Sequence, residues 1–314
     1  MSRSRCCIVY RCRRYIGTGA KNGKPMNILN YKGLKKSEPL CRHTSWRIGG
    51  PAEYFFQPEN NQELKSFLKK LNGEKNITVI GQGSNLLVRD GGLDDVVIAL
   101  KNKGEIKLIN HHTIYADALI NCAKFARFAS SKNLYGAEFL MGIPGSIGGA
   151  LAMNAGSFGC EIWQLVKKLK MINDLGQTRW ANKDDFDVSY RNVKLKQQEW
   201  FLGAEFILEK EQKIKIKELL EIRKKNQPIG SLSCGSVFKN PPNNFAAKLL
   251  DECNMKGVSI GGACISDKHA NFIINKNNAK AQDVENLISL MREQVYSKFK
   301  IKLELEVKII GKKC

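Results

Sequence analysis

The chain has 314 residues, 43% hydrophobic and 26% charged, which is enough for two or three domains with cores of their own. No apolar run approaches the roughly 20 residues that cross a bilayer, so a membrane role is not expected. The net charge is +21, yet ten Lys and Arg fall within residues 1–36, where there is no acid, and the remainder lies on lysine-rich faces such as Lys65, Lys69 and Lys70. No basic motif interleaved with aromatics accompanies it, so nucleic acid is set aside as a partner.

The first 25 residues are Arg-rich and acid-poor in the manner of an organellar transit peptide, but they lack the apolar run of a secretory signal. Residues 1–36 are read as a basic, disordered tail, or as a start upstream of the native one, with Met26 just before globular-looking sequence. Ten cysteines are scattered without a Cys-x-x-Cys, and His43, His111, His112 and His269 form no ligand pattern, so no metal site is expected. Isolated cysteines in a long chain fit buried small hydrophobes in a reducing cytoplasm.

From His43 the chain reads as a turn feeding a short strand through Phe56. Leu64, Phe67, Leu68 and Leu71 then recur at helical spacing behind the candidate caps Asn60 and Asn61. Ile77–Ile80 is a β-branched strand running into Gly81-Gln-Gly-Ser-Asn85, followed by a second apolar strand, Leu86–Val88. The dinucleotide fingerprint requires a third glycine and a following helix; position 86 is Leu and a strand follows, which disfavours a Rossmann fold. Gly81, Gly83, Ser84 and Asn85 still offer donors to a phosphate.

Further strands are predicted over 94–100, 113–118, 166–173 and 201–208, with a helix over 119–132 and a hairpin turn at 174–177. Between them lies Gly142-Ile-Pro-Gly-Ser-Ile-Gly-Gly-Ala-Leu-Ala-Met-Asn-Ala-Gly156. So many glycines fit neither an ordinary helix nor a strand. They suit tight turns, close backbone approach or an anion-binding concavity of N–H groups. After residue 210 the texture changes to helices over 213–225, 245–253 and 283–298, a strand over 272–275 and a closing alternating strand over 302–310. Strands and helices mix without regular βα alternation, so the fold class is α+β.

The motifs Thr44-Ser-Trp-Arg-Ile-Gly-Gly, Gly81-Gln-Gly-Ser-Asn, Gly142-Ile-Pro-Gly-Ser-Ile-Gly-Gly, Ser189-Tyr-Arg, Gly235-Ser-Val-Phe-Lys-Asn-Pro and Leu305-Glu-Val-Lys-Ile-Ile-Gly follow one another in the order seen in UDP-N-acetylenolpyruvoylglucosamine reductases. The sequence resembles that family from about residue 40 to 311. The resemblance implies an FAD-binding lobe of the vanillyl-alcohol-oxidase/PCMH type over 37–210 and a smaller α/β substrate-binding lobe over 211–314. It also implies NADPH-dependent, FAD-mediated reduction of a UDP-sugar, UDP-N-acetylglucosamine enolpyruvate, in peptidoglycan precursor synthesis.

The implied residues follow the motifs. Gly49, Gly81, Gly83, Ser84, Asn85, Gly142, Pro144, Gly145, Ser146, Gly148, Gly149, Asn154 and Gly156 would hold FAD. No histidine falls in a motif for covalent attachment, so the cofactor is expected to be non-covalent. Arg191, Ser236 and Glu306 would be catalytic, and Lys239 and Asn240 would contact the substrate diphosphate. An arginine fork suits a carboxylate or enolate, a serine held against a basic intermediate can protonate it, and a glutamate beside an enolate is expected to have a raised pKa. Glu304, two residues from Glu306 on the predicted strand, competes with it; the motif that follows favours Glu306.

Ala247 and Asn254 stand where the family pattern has glycines, and the short interval between Arg191 and Ser236 resembles the subclass lacking an inserted tyrosine loop. A related flavin oxidase and a non-catalytic flavin- or nucleotide-binding module are the alternatives. Against both stands a polar trio suited to protonating a reduced alkene.

Overall fold

The structure, a computed structural model, describes residues 10–12, 28–100, 104–195, 199–211 and 216–314. They form two compact units. The first takes the described residues within 1–38, 53–82 and 94–219; the second those within 39–52, 83–93 and 220–314. Where the sequence reading has contiguous lobes dividing at residue 210, the units are interleaved, because the short segments 39–52 and 83–93 fold with the C-terminal part.

The first unit holds two five-stranded sheets. In one, Ile77–Ile80 and Leu93–Ala99 run parallel, with Ile77 opposite Val96 and Ile80 opposite Ala99. All four residues of Ile77–Ile80 are buried, as expected for a strand covered on both faces. The helix Asn61–Leu71 buries Leu64, Phe67, Leu68 and Leu71 against this layer, is capped by the Asn60 side chain on the Gln62 and Glu63 N–H groups, and ends in left-handed Asn72.

The ordered fold begins earlier than the tail reading placed it. Tyr10–Cys12 pairs antiparallel with Ile77–Ile80, Ile28 is fully buried, and the Tyr31 ring lies edge-on to Phe56 and Phe67. Residues 1–9 and 13–27 of the basic tail lie outside the described residues.

The second sheet is antiparallel, in the order Thr178–Asn182, Val166–Asn173, Glu199–Ile207, Thr113–Asp117, Ile106–Asn110. One face packs Leu169, Met171, Ala204 and Phe206 with Phe125 of the helix Cys122–Ser131 and Leu151 of the helix Ile147–Met153. The other sends Ile172, Trp200 and Leu202 into the core beneath Asn61–Leu71. Sheets and helices are thus layered in an α+β arrangement.

In the second unit the helix Ala281–Phe299 presents Val284, Leu287, Ile288, Met291 and Val295 to a core shared with Trp46, Leu87, Phe238, Leu249 and Ile273. Around it lie the helix Ala246–Glu252, the three-stranded sheet Ser259–Ile260, Ala263–Ile265, Ile273–Asn275, and the parallel pair Leu86–Val88 with Lys308–Ile310. The predicted closing strand over 302–310 is shorter than expected. Only Lys308–Ile310 forms a ladder, because Glu306 and Val307 both donate to the single carbonyl of Val237, which breaks the regular alternation.

Candidate functional site

In the first unit the glycine stretch is a short 3-10 turn, Glu138–Gly142, a loop through Pro144 and Gly145, and the seven-residue helix Ile147–Met153. Several of its N–H groups serve the fold. Ile147 donates to Ile120 O at 2.7 Å, Gly148 to Ala118 O at 2.9 Å, and Gly149 to the Ser146 hydroxyl at 3.3 Å. Gly148 is required by that approach, since a Cβ there would lie 2.8 Å from Ala118 Cβ. The two glycine loops of this unit meet: a Cβ on Gly81 would stand 2.9 Å from Ser146 Oγ. Between them lies a narrow cleft lined by Gly81, Ser146, Gly148 and Gly149 and by the apolar Val79, Ile80, Leu100, Trp200 and Phe201.

The end of the same stretch holds Arg191. The helix terminates at Asn154, left-handed with φ 47°, and the carbonyls of Asn154 and Gly156 accept from Arg191 Nη1 at 3.2 Å and Nη2 at 2.5 Å. Arg191 itself has φ 53° between the short strands Asp187–Ser189 and Asn192–Lys194, and its guanidinium lies over the Tyr190 ring. Its acidic neighbour is Glu161, at 4.0 Å. Asp185 and Asp187, the acids close by in sequence, are engaged elsewhere: Asp185 accepts from Asn182 N–H and Asp187 pairs with Lys194. The Asn154 side chain, buried, donates to Glu161 Oε2 at 2.7 Å and to Ser189 O, so its amide serves this corner.

The second unit gathers the remaining motifs. Ser45 N–H donates to Gly83 O, and the Thr44 hydroxyl closes its own loop on Ile48. Gly83 has φ 66°, and any Cβ there would collide with the His43 carbonyl. Gly49, at φ 144°, leaves room for the Val88 side chain. Cys234 packs its thiol on Gly83 O and Leu86 O, and burial pushes that thiol up to about 12. Two residues on is half-buried Ser236, after left-handed Gly235.

Glu306 N–H donates to Val237 O at 2.9 Å, so Ser236 and Glu306 lie on directly bonded segments. The Asn85 amide donates to Glu306 O at 3.1 Å, and Lys308 N–H donates to Asn85 O. Asn85 thus holds the glutamate's backbone. Glu304 and Glu306 separate clearly: the Glu304 side chain is 78% exposed and pairs with Lys239 at 3.5 Å, whereas Glu306 is half-buried. The Asn240 side-chain oxygen accepts from Ala246 N–H at the start of the helix Ala246–Glu252.

Arg191, Gly81 and the 142–156 stretch therefore belong to the first unit, and Gly49, Gly83, Ser84, Asn85, Ser236, Lys239, Asn240 and Glu306 to the second. Sequence reading passed over Asn271, whose amide grips Phe238, and Asn275, which donates to Trp46 O while Trp46 Nε1 donates to Ile273 O. A lone asparagine before a strand carries no spacing signal; only the fold shows its partners.

The family comparisons divide the chain contiguously, with the second unit's segment 83–93 inside the first match. An FAD binding domain model matches residues 52–182, and the C-terminal domain model of UDP-N-acetylenolpyruvoylglucosamine reductase matches residues 227–310. Together with the cleft between the glycine loops, they define an FAD-dependent oxidoreductase. The UDP-N-acetylenolpyruvoylglucosamine reductase of Methylococcus capsulatus is 47% identical over 279 residues, covering 87% of this chain and 92% of that protein. That of Nitrosomonas eutropha is 45% identical, covering 88% and 89%. A crystal structure of the reductase from Thermus caldophilus shares 31% identity with a TM-score of 0.72 over 88% of this chain and 97% of that one. The chain belongs to the UDP-N-acetylenolpyruvoylglucosamine reductase family.

Proposed function

We propose that this protein reduces UDP-N-acetylglucosamine enolpyruvate to UDP-N-acetylmuramate with electrons from NADPH, using Arg191, Ser236 and Glu306 as catalytic residues. The first unit's cleft lies where a non-covalent FAD would sit: the Gly81 backbone and the Ser146 hydroxyl would face its pyrophosphate and the apolar wall its rings, while the Gly148 and Gly149 N–H groups serve the fold. When bound, FAD supplies the two-electron relay between NADPH and the enolpyruvyl double bond.

Arg191 binds the enolpyruvyl carboxylate. Two backbone carbonyls fix its guanidinium plane, so little side-chain entropy is lost on binding, and a bidentate fork stabilises negative charge as it spreads onto the carboxylate. Ser236 gives its hydroxyl proton to the substrate carbon next to that carboxylate and regains one from solvent. Glu306, beside it in the backbone pairing, steadies the developing charge as a hydrogen-bond donor, which requires its protonated form. Lys239 and Asn240, on the same segment, contact the diphosphate. The reaction's nucleotide substrates and the free thiols of the described cysteines support a cytoplasmic location.

The observation that carries this reading is the bond from Glu306 N–H to Val237 O, which ties two distant motifs into one segment pair. The test follows the two half-reactions on purified yellow protein without oxygen. NADPH bleaches it and the enolpyruvyl substrate restores the colour; restoration by oxygen alone would sink the reductase reading and favour the oxidase. In Ser236→Ala, bleaching stays within about twofold while recolouring by substrate slows by about 100-fold or more, the range of general acid catalysis. Equal slowing of both removes the proton-donor role.

A further inference from the structure

The segment that carries Ser236 has no regular strand neighbour on one side, and a single side chain stands in for it. Asn271 is 2% exposed. Its Oδ1 accepts from Phe238 N–H at 3.0 Å, its Nδ2 donates to Phe238 O at 2.8 Å, and its backbone carbonyl accepts from Val237 N–H at 2.9 Å. An antiparallel strand would exchange the same pair of bonds with Phe238 through its main chain. Here an amide side chain does it, two residues after the serine. On the opposite edge Val237 O accepts from Glu306 N–H, and Lys239 N–H donates to Glu304 O.

Asn271 is itself fixed. The Ser266 hydroxyl accepts from the Lys268 and His269 N–H groups, and His269 Nδ1 accepts from Asn271 N–H at 3.3 Å. Burial lowers the His269 pKa, which keeps the ring neutral and able to accept. The segment just after Ser236 is therefore clamped between a rigid turn and the Glu304–Val307 segment, while on its N-terminal side left-handed Gly235 joins it to buried Cys234, whose thiol packs on Gly83 O and Leu86 O.

We propose that Asn271 is a positioning residue for proton transfer: it sets where the Ser236 hydroxyl points and touches neither substrate nor flavin. This rests on the reading of Ser236 as proton donor. A serine hydroxyl is a weak acid, so its transfer depends steeply on alignment, and a displacement of about 1 Å can cost on the order of 100-fold. Truncating Asn271 leaves Phe238 N–H and O without partners and frees the segment at that point.

The test uses full-length, FAD-loaded protein and stopped-flow absorbance. In Asn271→Ala, bleaching by NADPH stays within about twofold of wild type, recolouring by UDP-N-acetylglucosamine enolpyruvate slows by about 10- to 100-fold, and its solvent deuterium isotope effect increases. In a Ser236→Ala background the same substitution slows recolouring by less than about twofold further. Should Asn271→Ala fail to retain flavin, Asn271→Asp keeps the size and the acceptor for Phe238 N–H and is expected to show the same split. Equal slowing of both half-reactions, or a full further slowing in the Ser236→Ala background, overturns the proposal. Slow Ser236→Ala beside a wild-type-like Asn271→Ala overturns the positioning role alone; fast Ser236→Ala overturns the proton-donor reading beneath it.

Discussion

Gly156 is where the glycine-rich stretch and the arginine meet. A Cβ on it would run into the Cys160 carbonyl and stand 3.1 Å from Arg191 Nη1, whose partner Nη2 is bonded to the Gly156 carbonyl itself. The residue therefore acts by lacking a side chain. Gly156→Ala is expected to cost about 1–3 kcal/mol in denaturant unfolding, the usual range for overpacking. It should also slow recolouring by the enolpyruvyl substrate more than bleaching by NADPH, because the guanidinium moves. A variant as stable and active as wild type would show that the corner yields without displacing the arginine. The sequence made Gly156 visible as part of a flavin loop. It could not make visible that the loop's last turn serves Arg191, because the contact joins residues 35 positions apart through backbone carbonyls, which leave no mark in residue type.

Elements with strong local signals were legible in advance. The Asn61–Leu71 helix has its cap, its apolar spacing and its left-handed terminator written in consecutive residues. Asn60→Ala, which removes the acceptor for the Gln62 and Glu63 N–H groups at 3.0 Å each, is expected to lower unfolding stability by about 1 kcal/mol and to leave both half-reactions unchanged. A loss of flavin from this variant would mean that the helix does more than cover the sheet. The short strands Asp187–Ser189 and Asn192–Lys194 and the edge strand Ile106–Asn110 were not legible. They are largely exposed and defined by pairing, so neither periodicity nor apolar content marks them. The opposite error occurred at 302–310. Alternating Leu303, Leu305 and Val307 promised a continuous strand, but tertiary bonds to Val237 interrupt it. That interruption is also what separates exposed Glu304 from half-buried Glu306, a choice that alternation alone left open.

At the scale of the whole molecule, each unit buries one cysteine completely enough to give the fold an alkaline limit. Burial pushes Cys122 in the first unit and Cys234 in the second up to about 12, against an ordinary value of 9.0. Between pH 9 and 12 the unfolded chain therefore loses two protons that the folded chain keeps. Folding stability depends on that difference in bound protons, so the contribution is complete below pH 9 and is lost as the pH rises towards 12. Denaturant midpoints measured from pH 8 upward should fall with pH, and should fall less steeply in a Cys122→Ala, Cys234→Ala double variant. Iodoacetamide at pH 8.5 should label exposed Cys314 while sparing Cys122 and Cys234 until denaturant unfolds the unit that holds each. Because the two thiols report on different units, the order in which they become reactive also tests whether the interleaved units unfold together: simultaneous labelling marks a single cooperative transition, and earlier labelling of either marks the weaker unit.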